Sequence, residues 1–102
     1  MEISKRDADG NELKGAQMQL LDDKGTVVDE WTSDGTNHIV AKLSAGKYIL
    51  KETAAPEGYI LATDICFEVL NDGTVTVDGA ETTAVSENGN PLIVMTVSYT
   101  HP

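Results

Sequence analysis

A lysine in the first apolar run and a glutamate in the fifth are the residues of this sequence best suited to chemistry. In KYILKET, at 47–53, strand alternation puts Tyr48, Leu50 and Glu52 on one face and Ile49, Lys51 and Thr53 on the other. In EISKRD, at 2–7, the same alternation sets Lys5 beside Ile3 and Asp7. Both charged groups share a face with apolar residues. An unpaired buried charge is expensive, so the two are expected either to meet or to stay neutral. Burial disfavours the charged form of each. A neutral amine is a nucleophile, and a protonated carboxyl is a hydrogen-bond donor and proton shuttle. With an Asp or Asn beside them, the amine attacks its carbonyl while the carboxyl polarises that carbonyl and carries protons to the leaving group. The product is one amide between two side chains, made with loss of water or ammonia. No cofactor is needed, because proximity supplies most of the advantage.

The elements that must position these groups read as β-strands. Short runs at 2–7, 16–22, 26–31, 37–43, 47–53, 64–70, 74–79 and 91–99 are divided by turn signals, with no helical periodicity. The strongest signals are the NDG turn at 71–73 and the Pro–Gly loop AAPEGY at 54–59. Seven to eight strands at this spacing predict an all-β antiparallel sandwich, Ig-like or prealbumin-like, as one domain over residues 1–102. Residues 80–90 read as the most loop-like stretch. In the last run Ile93, Met95, Val97 and Tyr99 share a face.

Composition narrows the function. Apolar residues make up 40% of the chain, enough for one modest core. The net charge of −10 disfavours nucleic acid and anionic membrane as partners. No apolar run approaches the ~18 residues of a membrane span. Met1 followed at once by a strand reads as the start of a cut piece, so the lack of a leader says little about the parent protein. Cys66 is the single cysteine, which excludes an internal disulfide and a cysteine-based metal site. His38 and His101 lack metal-ligand spacing. No nucleophile–base pair, metal cluster or phosphate loop of a conventional enzyme is present. No metal and no cofactor is expected.

Three stretches together resemble the B-type repeat domain of Gram-positive collagen adhesins and pilins, the Cna B-type fold. ISKRDADGNELKGAQMQLLDDKG resembles that family's first two strands, LSAGKYILKETAAPEGY its glutamate-bearing strand, and IVMTVSY its last strand. The resemblance spans about residues 2 to 100. It implies a sandwich with first and last strands adjacent, tied by an autocatalytic Lys–Asp/Asn isopeptide bond. It implies Lys5 as nucleophile and Glu52 as proton shuttle. In a close member the last strand reads Ile-Val-Met-Val-Asp-Ala-Tyr, which puts the acceptor position on Val97. Valine has no carbonyl to attack, so the bond is expected to be absent, through an engineered knock-out or a natural loss. Asn88 and Asn90 are the alternative acceptors, although reaching Lys5 from that loop needs a register shift. The resemblance further implies a structural stalk or adhesin module rather than a turnover enzyme. Such a module is extracellular, cell-wall-anchored through a larger protein, monomeric, and flanked by neighbouring domains. The alternative to a stalk module is a binding module that takes a host matrix protein through loops such as 32–37 or 79–90.

The remaining candidates read as structural. Trp31, at the end of its strand, is a packing or edge aromatic, with a ligand platform as the alternative. His38 opens a strand and faces solvent. Cys66 is a small half-buried strand residue on the outer face. Asp7, Asp9 and the Asp22–Asp23 pair suggest calcium, but DADGNE lacks the closing glutamate of a calcium loop and reads as a turn.

Overall fold

The structure, a computed structural model, describes residues 1–40, 43–77, 80, 81, 87 and 89–96. Among these residues the chain forms strands and no helix. The strands are β1 (Glu2–Arg6), β2 (Lys14–Asp22), β3 (Val27–Asp34), β4 (His38–Ile39), β5 (Gly46–Ala54), β6 (Ile65–Val69), β7 (Val75–Val77), β8 (Ala80–Glu81) and β9 (Leu92–Thr96). They make two sheets, one ordered β4-β1-β9 and the other β3-β2-β5-β6-β7-β8. Every pairing in the larger sheet is antiparallel.

Alternation decides what lies between the sheets. Ala16, Met18 and Leu20 from β2, Tyr48 and Leu50 from β5, and Phe67 and Val69 from β6 face Ile3, Ile93 and Met95 of the smaller sheet. Leu20 and Leu50 are fully buried, and each such side chain contributes about 1.5–3 kcal/mol by leaving water. Tyr48 stacks on Phe67 at 5.6 Å between centroids, and its hydroxyl donates to the Ser44 carbonyl at 2.7 Å.

Local chemistry fixes the turns. Between β6 and β7 the amide of Gly73 donates to Leu70 O at 2.9 Å, with Gly73 at φ +88. After β5, Tyr59 N donates to Pro56 O at 3.1 Å and Gly58 takes φ +91, which only glycine adopts freely.

The first and last strands are adjacent, as expected. Their pairing is parallel, in the register Ile3 with Ile93 and Lys5 with Met95. Other boundaries differ from the sequence reading. β3 runs on to Asp34, because Gln17 still pairs with Thr32 and Lys14 with Asp34. Trp31 therefore lies inside a strand rather than at its end. The run at 37–43 contributes only two strand residues; the Val40 amide then donates to Met1 O at 3.0 Å, and Ala41 and Lys42 lie outside the described residues. β8 falls in the stretch expected to be loop, paired to β7.

Candidate functional site

Lys5 and Glu52 are brought together. Lys5 comes from the central strand of the smaller sheet, opposite Met95, and Glu52 from β5 of the larger sheet, opposite Met18. The side chains cross the gap and meet with Nζ 3.4 Å from Oε2, at 3% and 0% exposure. This is ion-pair distance without hydrogen-bond alignment: neither Nζ nor Oε2 has a hydrogen-bond partner among the described residues. Burial pushes the Lys5 ammonium below its ordinary 10.5, and the Glu52 carboxylate opposes that shift without cancelling it. A buried amine of lowered basicity beside a carboxyl is the geometry that amide formation to a third group requires.

The other Glu52 oxygen has a separate role. Oε1 accepts the backbone N–H of Ala62 at 2.6 Å, tying the 55–64 loop over the end of β5. One carboxyl thus anchors a loop and faces a lysine at the same time. Its inward position was legible from alternation, whereas the Ala62 contact depends on a loop path that periodicity does not report.

The third expected member, Val97, lies outside the described residues, as does Asn88. Asn90 is placed, and its Nδ2 donates to Glu2 Oε2 at 2.9 Å. Glu2 also accepts from Asn37 Nδ2 at 3.3 Å and is 3% exposed. Glu2 lies on the face of β1 opposite Ile3 and Lys5, so the Asn90 carboxamide is directed away from the amine. The cluster of buried Glu2 with the half-buried Asn37 and Asn90 escaped the sequence reading. Alternation separates Glu2 from Ile3 and Lys5, and nothing in it says that two asparagines meet the Glu2 carboxylate. Ser4, on the same face and fully buried, donates to Glu12, with Arg6 Nε donating to Ser4 Oγ at 2.8 Å.

His38 does not simply face solvent. Its ring stacks on Trp31 with centroids 3.8 Å apart and planes 5° from parallel, and Nε2 lies 2.8 Å from Asp29 Oδ2. An apolar ring face and a carboxylate, both from β3 of the larger sheet, hold it half-buried. Cys66 is exposed rather than half-buried, because it projects outward from β6. The acidic loops are turns with internal partners. Asp7 Oδ1 accepts from Asp9 N and Asn11 N, and Asp22 Oδ1 from Lys24 N and Thr26 N. Among the described residues no group of three or more His, Cys, Asp or Glu is placed to hold a metal ion. His101 lies outside the described residues, as does most of the 79–90 loop.

A three-stranded sheet packed on a six-stranded one, with first and last strands paired in parallel, defines the class: a prealbumin-like β-sandwich. The family model described as the SpaA prealbumin-like fold domain matches residues 1–83, and the chain belongs to that family. Similar solved structures are pilus proteins. A C-terminal fragment of the pilus adhesin SpaC from Lactobacillus rhamnosus GG superposes with a TM-score of 0.70 at 24% identity, covering 99% of this chain and 45% of that one. BcpA, the major pilin subunit of Bacillus cereus, gives 0.64 at 24% identity, over 96% and 27%. At that identity these two show the fold alone. The pilus-presented adhesin Spy0125 (Cpa) gives 0.66 at 30% identity, over 78% of this chain and 19% of that one. This chain therefore spans less than half the length of each. No curated protein matches the sequence.

Proposed function

We propose that this chain is a structural module of a larger surface pilus or adhesin protein. It retains the nucleophile and proton shuttle of an isopeptide-forming domain and stays uncrosslinked. Residues 1–102 act as one unit beside neighbouring domains of the same protein, outside the cell and anchored to the wall through that protein. The observation that carries this reading is the buried Lys5–Glu52 pair, held 3.4 Å apart between the sheets. Val97, two residues beyond the strand partner of Lys5, offers no carbonyl.

The chemistry assigns each atom. With an aspartic acid at position 97, Lys5 Nζ would attack its side-chain carbonyl carbon. Glu52 would take a proton from the amine and return one to the departing oxygen. A C–N bond would form, a C–O bond would break, and water would leave. The intact mass of the denatured natural protein is expected to equal its formula mass, allowing for the N-terminal methionine. Val97→Asp is expected to lose one water and Val97→Asn one ammonia, and adding Glu52→Ala should block both. A natural protein already short by water or ammonia would overturn the uncrosslinked reading. A folded Val97→Asp protein of unchanged mass would overturn the roles of Lys5 and Glu52.

A second reading, recognition of a host protein, draws support from Ile39, which is 63% exposed two residues beyond the 32–37 segment. A matrix-protein binding screen tests it.

A further inference from the structure

The outer face of the six-stranded sheet has a pattern that the buried pair does not use. Directly opposed residues share a face, and the register of β5 with β6 sets Lys47 against Glu68 and Ile49 against Cys66. One step along, Lys51 Nζ lies 3.8 Å from Asp64 Oδ2. The outward positions of β5, of β6 and of Asp64 just before it thus form three rows: a lysine with a carboxylate, an apolar pair, and a second lysine with a carboxylate. The apolar row continues sideways, since Leu21 opposes Ile49 and Val27 opposes Leu21. Val27 is 45% exposed and Cys66 is exposed. A groove of about 480 Å³ lies here, lined by Asp23, Lys47, Ile49, Cys66, Glu68 and Thr76.

We propose that this face is a self-association surface, occupied by the same face of a second copy of the chain. An apolar middle with a polar rim is the anatomy of an interface, and a two-copy contact is self-complementary about a two-fold axis. The charges select the axis. Laid along the strands between β5 and β6, it brings Lys47 of each copy to Glu68 of the other, Lys51 to Asp64, and Ile49 to Cys66. Laid across the strands, it would set Lys47 against Lys51 and Glu68 against Asp64. Only the first orientation is attractive throughout. Each copy carries a net charge of −10, so the two repel overall and the dimer is weak and concentration-dependent. This inference replaces the single-copy expectation from the sequence and stands independently of the crosslink reading.

Sedimentation equilibrium on the full chain tests it. The natural protein should show a mass rising from one copy toward two as concentration increases. Lys47→Glu alone, or Glu68→Lys alone, turns two symmetric attractions into repulsions and should weaken association at least about tenfold. An equimolar mixture of those two variants has opposite charges at both contacts and should associate again. The combined Lys47→Glu/Glu68→Lys chain should match the natural protein, which also covers the case in which a single variant loses its fold. A one-copy mass at every concentration, a stoichiometry above two, single variants that associate like the natural protein, or no recovery in the mixture and the combined chain would each overturn the proposal.

Discussion

Removing the charges of Lys5 and Glu52 one at a time is expected to destabilise the domain far more than removing both. At 3.4 Å and an effective dielectric of about 20, the mutual attraction is about 5 kcal/mol. Desolvating the two ions opposes it by several kcal/mol each, so the pair as a whole adds little. Lys5→Met strands a carboxylate that keeps only the Ala62 N–H, a loss of about 3–5 kcal/mol. Glu52→Gln keeps a carbonyl oxygen for Ala62 but strands the ammonium, again at about 3–5 kcal/mol. The double variant, with two neutral side chains of similar size, should lie within about 1–2 kcal/mol of the natural protein or above it. The assay is urea unfolding at fixed pH with unchanged slope, giving a coupling energy of at least about 3 kcal/mol. A domain of this size has roughly 5–15 kcal/mol in hand, so each single loss is a large share of the total and should shift the urea midpoint strongly. Single losses that add to the double within about 0.5 kcal/mol would refute a charge pair between the sheets.

Further outcomes are expected. The Lys5 ammonium is held below its ordinary 10.5 by burial, so the folded chain releases that proton at lower pH than the unfolded chain does. Between the two values the unfolded state binds more protons, and stability rises with pH. Urea midpoints of the natural protein should therefore climb relative to Lys5→Met as pH rises toward 10.5, and parallel curves would refute this. Leu50→Ala, at a fully buried position, should lower stability by about 2–5 kcal/mol. Gly58→Ala meets no neighbouring atom within 4 Å, so its loss should be the backbone term alone, about 1–2 kcal/mol by thermal melting. Asn90→Ala removes a hydrogen bond to the buried Glu2 carboxylate and should lower stability by about 1–3 kcal/mol. An unchanged midpoint would show that Glu2 does not depend on it.

What the sequence discloses depends on whether the controlling force is local. Period-two alternation put Lys5 with Ile3, Glu52 with Leu50 and Ile93 with Met95, because side-chain direction along a strand is a local property. The NDG turn was legible for the same reason. The parallel sense of β1 and β9 was not, since it follows from how far-separated strands meet. The Glu2 contacts were not legible because alternation reports a face and not what meets it, and two asparagines from distant loops donate to this carboxylate. His38 was expected in solvent because its partners, Trp31 and Asp29, lie on a strand that pairs elsewhere.

The parallel run of β1 beside β9 also decides how the fold answers a pull. β1 proceeds from Glu2 to Arg6 and β9 from Leu92 to Thr96 in the same direction. Tension applied backwards at Glu2 and forwards at Thr96 slides one strand lengthwise past the other. Every ladder hydrogen bond between them is then strained together, and rupture must break the set at once. An antiparallel pair gripped at its open end would instead unzip, losing its bonds in succession. The Glu2 amide bound to the Pro91 carbonyl at 2.9 Å, and the Glu2 carboxylate bound to Asn90, lie at the end of that ladder where the pull on β1 is applied. The strand order alone gives this module shear resistance, with or without a covalent tie.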